Sequence, residues 1–205
     1  MYLVATAASL FATPAFAGGI GVTASGGAHT EPLFYYSKAD ADGNEYKELS
    51  DYDQYKLTET LPNLGLGLNL VLGDRDDKIT GDCRFYWMMD SAQVSPTDAG
   101  SQIPEANIVA SYRETPRHLG IGAIGLSWGL VGDPSKFQLA AVGHFGSAFI
   151  TADHTEFLLI DLGPGVTWRA TRQVQVFGDA VYQARFRKRL DHSVVATVGA
   201  RYLFD

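Results

Sequence analysis

The chain has 205 residues, a net charge of −7, 19% charged and 46% hydrophobic residues, 22 glycines and one cysteine. The acidic balance argues against nucleic acid as a partner, since phosphate recognition calls for a basic surface. Mean hydropathy near zero excludes a bundle of membrane helices, each needing about 20 apolar residues, and the lone cysteine excludes a disulfide framework or a cysteine-based zinc site.

Met1 to Ala17 is apolar and closes on Ala15-Phe16-Ala17 before Gly18, a small-x-small pattern that predicts an export signal over 1–17 and one folded domain over 18–205. No Lys or Arg precedes the apolar run, which departs from the usual signal pattern. After Gly18, Ile20, Val22, Ala24, Gly26 and Ala28 alternate with Gly21, Thr23, Ser25, Gly27 and His29. A period of two predicts a β-strand with two unlike faces.

Lys38 to Lys56 is polar and acidic without apolar periodicity, so a long loop is expected there. Leu57 to Val71 then sets Leu64, Leu66, Leu68 and Leu70 against Glu59, Gly65, Gly67 and Asn69. Gly73 to Asp77 is a tight turn. A third strand, Lys78 to Asp90, places Ile79, Cys83, Phe85 and Trp87 opposite Thr80, Asp82, Arg84 and Tyr86. Ser91 to Thr115 is a second long loop.

His118 to Val131 breaks step, because Leu119 and Ile121 share one parity while Ile124, Leu126, Trp128 and Leu130 share the other. Either a bulge near Ala123 reconciles them, or Gly120 and Gly122 face outward. Gly132 to Ser135 is a tight turn. Phe137, Leu139, Phe145 and Phe149 then alternate with Gln138, Val142, His144 and Ala148. Past a short connection at Thr151 to His154, Leu158, Ile160, Leu162, Val166 and Trp168 oppose Phe157, Leu159, Asp161, Gly163 and Arg169. After a turn at Ala170 to Arg172 come two more alternations of a dozen residues or more, Gln173 to Arg187 and His192 to Phe204.

These strands exceed the roughly 5–6 residues usual in globular proteins and match the about 9–11 that cross a bilayer. Their connections run long, tight, long, tight, short, tight, short. The expected fold is an all-β, antiparallel, up-and-down transmembrane β-barrel of about eight strands, with tight turns on the periplasmic side. Trp128, Trp168, Tyr202 and Phe204 would form one aromatic girdle and Phe34, Tyr35, Tyr36 and Phe186 the other. A soluble, lipocalin-like barrel is the rival and would turn the Leu row inward.

The pattern from Gly18 to Phe204, ending on Tyr202-Leu203-Phe204, resembles the eight-stranded outer-membrane barrels of the OmpA and OmpX type, with Asp205 as an extra residue beyond the aromatic. The resemblance is architectural, and it implies the bacterial outer membrane, with outer-membrane lipids and lipopolysaccharide as surroundings.

The inward parity mixes acids with arginines. Buried charges are costly unless paired, so a lumen network of Glu59, Asp82, Arg84, Asp161, Arg169, Asp179, Arg185 and Arg201 is expected. Within it Asp82, Asp161 and Asp179 would face Arg84, Arg185 and Arg201. Inward glycines at 21, 65, 67, 163, 165 and 199 would leave a cavity or make room for Arg169, Arg201 and Phe177. Asp40, Asp42 and Asn44 open like a calcium-binding loop, yet Glu45 stands where that loop needs Gly. Gly120-Ile-Gly122-Ala-Ile-Gly125 matches the dinucleotide fingerprint by letter but lies inside a strand.

Barrels that deacylate lipid A carry His and Ser two residues apart on one lipid-facing strand; here His144 and Ser147 are three apart and point to opposite faces. His118 could join Glu114 and Ser111 only through loop folding. Cys83 is expected to face lipid as a small hydrophobe. The expected protein is a monomer with a filled lumen, without enzymatic activity or cofactor, acting structurally or on a surface ligand through loops 38–56 and 91–115. The alternatives are a small-solute channel and a lipid A-modifying enzyme.

Overall fold

The computed structural model describes residues 17–30, 34–36, 46–48, 55–56, 61–74, 76–90, 95–96, 116–150, 156–186 and 190–204. The expected signal, the calcium-like loop residues Asp40, Asp42 and Asn44, and Glu59 lie outside the described residues.

Eight long strands form the barrel: β1 Gly18–Thr30, β2 Leu61–Leu72, β3 Ile79–Asp90, β4 Arg117–Asp133, β5 Phe137–Ile150, β6 Glu156–Arg169, β7 Val174–Phe186 and β8 Leu190–Leu203. Each pairs antiparallel with its sequence neighbours, and β8 closes on β1. The result is an antiparallel up-and-down barrel with no exposed sheet edge, which is what a lipid-facing sheet requires.

Following hydrogen-bonded partners once round leads from Arg201 through Gly21, Asn69, Arg84, Ala123, Gly146, Leu159 and Arg185 back to β8 at Asp191. That stagger tilts the strands by about 35–45° to the barrel axis. One end carries the tight turns, two of them opened by glycines with φ of +120° at Gly73 and +104° at Gly132. At that end Ser135 donates both its N–H (2.8 Å) and its hydroxyl (2.7 Å) to Asp133 Oδ1.

The other end carries the long connections. The expected loop 38–56 contains two short strands, Tyr46–Glu48 and Tyr55–Lys56. The first pairs with Phe34–Tyr36, and the second pairs with Ser95–Pro96, so a short ladder ties the two long connections together.

The greasy parity faces out. Leu64, Leu66 and Leu162 are 66%, 70% and 66% exposed, whereas Leu159 on the other parity is fully buried. A contiguous apolar belt of this size does not survive in water but suits hydrocarbon, so the barrel is transmembrane and the soluble rival fails. Phe137, Trp128, Trp168, Tyr202 and Phe204 are exposed at the tight-turn end, and Trp87, Phe149 and Phe186 toward the other. Of the expected second girdle, the side chains of Phe34, Tyr35 and Tyr36 lie outside the described residues.

Strand β4 resolves its broken alternation without a bulge at Ala123. Leu119, Ile121 and Ala123 are buried, and Gly120 and Gly122 take the outward positions between Trp87 and Phe149 and between Phe85 and Ser147. The Phe149 ring fills the space a side chain at Gly120 would need. The register shift falls instead between Gly129 and Val131, leaving Leu130 and Val131 both facing out.

Candidate functional site in the lumen

Strand β3 delivers Asp82 and Arg84 to the lumen because residues two apart share a face. Asp179 arrives from β7, diametrically opposite in the ring. The Arg84 guanidinium spans this diameter. Its Nη2 lies 2.9 Å from Asp82 Oδ2 and 2.8 Å from Asp179 Oδ2, while Nη1 donates to Asp179 Oδ1 at 3.0 Å and to the Tyr86 hydroxyl at 3.1 Å. Nε donates to Asp82 Oδ1 at 3.3 Å. All three charged side chains are almost fully buried. At such depth a planar fork matched to two carboxylates is what makes the charges tolerable.

His144 on β5 extends the network sideways. Its Nδ1 is 2.6 Å from Asp161 Oδ1, which also accepts the His144 backbone N–H at 3.0 Å, and its Nε2 is 3.5 Å from Asp82 Oδ2. Asn69 links the network downward, donating its amide to Asp82 and accepting from Arg201 Nη1 at 3.2 Å. Arg201 Nε donates to Gln175 Oε1 at 2.6 Å, and the guanidinium lies 4.8 Å from the centre of the Phe177 ring. That ring occupies the space left by Gly199.

The lumen-directed candidates therefore divide by position. Asp82, Arg84, Asp161 and Asp179 come together, with Arg201 joined from below through Asn69, but Asp161 meets His144 rather than an arginine, because His144 is its direct neighbour across the ladder. Arg185 sits toward the loop end, where it donates to Gln183 at 2.8 Å. Arg169 leaves the lumen for the tight-turn rim and reaches Asp76 at 2.7 Å. The space expected beside the inward glycines is largely taken by side chains, with Met88 over Gly65, Tyr86 over Gly67 and Phe177 over Gly199.

Sequence reasoning left Asn69, His144 and Gln175 out of the network. Counting outward from the tight turn at Gly73 pairs Asn69 with Arg84, so Asn69 was reachable, whereas Gln175 meets Arg201 across β7 and β8, which are joined at the loop end. His144 meets Asp161 across a connection at the loop end, where no turn fixes the count.

The loop-side lumen is packed differently. Met88, Leu119, Ile121, Ala148, Ile150, Phe157 and Leu159 form an apolar cluster on β3 to β6, joined by Val181 and Val195 from the far wall. Between Arg84, Asp179 and Arg201 the remaining gap holds no more than a water molecule. Among the described residues no group of His, Cys, Asp and Glu is spaced to hold a metal ion. His144 lies inside the barrel and Ser147 outside; His118 packs against Trp87 at 5.4 Å between ring centres, and Ser111 and Glu114 lie outside the described residues. Cys83 is half-buried on the outward parity.

No family model matches this chain, and no curated protein matches its sequence. Among solved structures it is similar to Ail, the attachment invasion locus protein of Yersinia pestis, at 10% identity over 92% of this chain and 99% of that one, with a TM-score of 0.43. It is also similar to Neisserial surface protein A, at 10% identity over 91% and 97% with a TM-score of 0.47. A major outer membrane protein from Thermus thermophilus gives 11% identity over 91% and 99%, with a TM-score of 0.44.

Proposed function

We propose that this chain is a monomeric protein of the bacterial outer membrane whose lumen is closed and whose role is exerted at the cell surface through the connections 38–56 and 91–115. In that setting the tight turns face the periplasm, the apolar belt contacts outer-membrane lipids and lipopolysaccharide, and the long connections meet a surface ligand or neighbouring envelope component.

The observation that carries this reading is the Arg84 bridge across the full diameter, with Asp82 on one wall and Asp179 on the other. A conducting pore of this width would need that line of side chains to part, and eight strands enclose an interior just wide enough for side chains to fill. Planar-bilayer recording of the refolded barrel tests it. Wild-type protein is expected to give no unitary conductance steps above the bare membrane. Regular steps from wild-type protein would overturn the closed-lumen reading in favour of a small-solute channel.

A further inference from the structure

We propose that the tight-turn mouth of the lumen is a binding site for a carboxylate, held by Arg201. Arg201 is 6% exposed, yet its hydrogen-bond partners among the described residues are the neutral amides of Gln175 and Asn69. A guanidinium has five N–H donors, so two are used and three remain. The carboxylates nearest in the network, Asp82 and Asp179, are both engaged by Arg84. Leaving a buried cation without an anionic partner is costly, and the cost falls when an anion can reach it.

The path for that anion is on the turn side of Arg201. A pocket opens there between the tight turns, with Arg201 at its base and Ser127, Gln138 and Thr167 on its walls. These three side chains are 8%, 7% and 8% exposed, and none has a hydrogen-bond partner among the described residues. The Gln138 amide lies over Gly129, where a side chain could not be accommodated beside it. A cation, an amide and two hydroxyls, each with hydrogen-bonding capacity that no described residue takes up, thus line a space one or two water molecules in size. Asp77 also lines the mouth, but its Oδ2 accepts the Asp74 N–H at 3.1 Å and the residue is exposed to solvent.

Shape selects the class of ligand. A planar carboxylate matches the free edge of a guanidinium, and its second oxygen can accept from Gln138 or a hydroxyl. The two oxygens of a carboxylate lie in one plane with the guanidinium edge, which the third oxygen of a tetrahedral phosphate does not, and the open mouth allows a chain to trail from a terminal carboxylate into the aqueous space beyond.

The test is an amide-shift titration of the isotopically labelled full barrel in non-ionic detergent, with acetate, acetamide and inorganic phosphate as probes. Acetate is expected to shift the backbone resonances of Gln138, Thr167 and Gln175 saturably, with acetamide and phosphate showing no saturable shift. Arg201→Gln should abolish the response. Gln138→Leu, which removes no hydrogen bond from the unliganded barrel, should raise the half-saturating acetate concentration about tenfold. This second variant decides the matter if Arg201→Gln does not fold. A response to acetamide equal to that of acetate, stronger binding of phosphate, or acetate affinity unchanged in Gln138→Leu would each overturn the proposal.

Discussion

The two halves of the lumen are built from the same strands and the same parity, yet they close by different physics. Toward the long connections, Met88, Leu119, Ile150, Phe157 and Leu159 interdigitate as in the core of a soluble protein. Toward the tight turns, Arg84, Asp82, Asp179, His144 and Asp161 close the barrel by charge, with Arg201 and its amide partners beneath. An apolar cluster tolerates loss of one member by leaving a hole. A charge network cannot, because removing one ion leaves the others buried and unbalanced. The comparison teaches that the ionic half, where each charge depends on its partner, is the more sensitive of the two to a single substitution.

Arg84→Ala breaks that comparison hardest. It leaves Asp82 and Asp179 facing each other across the lumen without their shared cation, so a loss of about 3–5 kcal/mol is expected. Urea unfolding of the barrel in lipid vesicles would measure it. Conductance should stay absent even so, because the apolar cluster toward the long connections still fills the lumen. A loss below about 1 kcal/mol would mean that the two aspartates are already solvated, and the contrast between the halves would collapse.

Leu159→Ala is the matching change in the apolar half. Leu159 is fully buried, so truncation should cost about 2–5 kcal/mol through lost contact and a residual cavity. Conductance should stay absent, because the Arg84 bridge below is untouched. Appearance of channels in this variant would show that the apolar cluster is itself the barrier.

Much of this was legible in the sequence because barrel geometry is periodic. Alternation fixed which residues face lipid, as Leu64, Leu66 and Leu68 demonstrate, and tight turns fixed the hairpins at Gly73 and Gly132. The apolar half of the lumen was harder to read. Phe157 and Leu159 are as greasy as Leu158 and Ile160 beside them, so parity on that stretch of β6 carries no contrast. Strand β4 shows the same problem in reverse, since glycine at 120 and 122 is silent about facing and only the Phe149 and Phe85 rings across the ladder reveal it. Pairing partners in the charge layer needed the register, and register across the loop-end connections has no local signature. Hence the Asp161–His144 contact came only from the structure.

The lipid face offers a third contrast. Leu66→Arg places a charge on the outward parity near mid-strand, where Leu66 is 70% exposed, and should cost about 2–4 kcal/mol in the bilayer. The neighbouring inward position is Gly67, so a one-residue error in facing would reverse the result. Equal stability of wild type and variant in vesicles would turn the barrel inside out.

The smallest effect is expected where charge meets water. Arg169 joins Asp76 at 2.7 Å on the tight-turn rim; its own side chain is largely covered, but the Asp76 side chain is 60% exposed, so the carboxylate keeps its water, unlike those of the enclosed Arg84 pair. Solvent screening and side-chain entropy leave exposed pairs worth no more than about 1 kcal/mol. Asp76→Asn should therefore shift the urea midpoint barely at all and remain insensitive to added salt, whereas wild type should lose its small advantage as salt is raised. A loss rivalling that of Arg84→Ala would mean that the rim is as sequestered from water as the middle of the lumen. The ionic half would then extend to the mouth itself, and Arg201 would have no aqueous path by which a carboxylate could reach it.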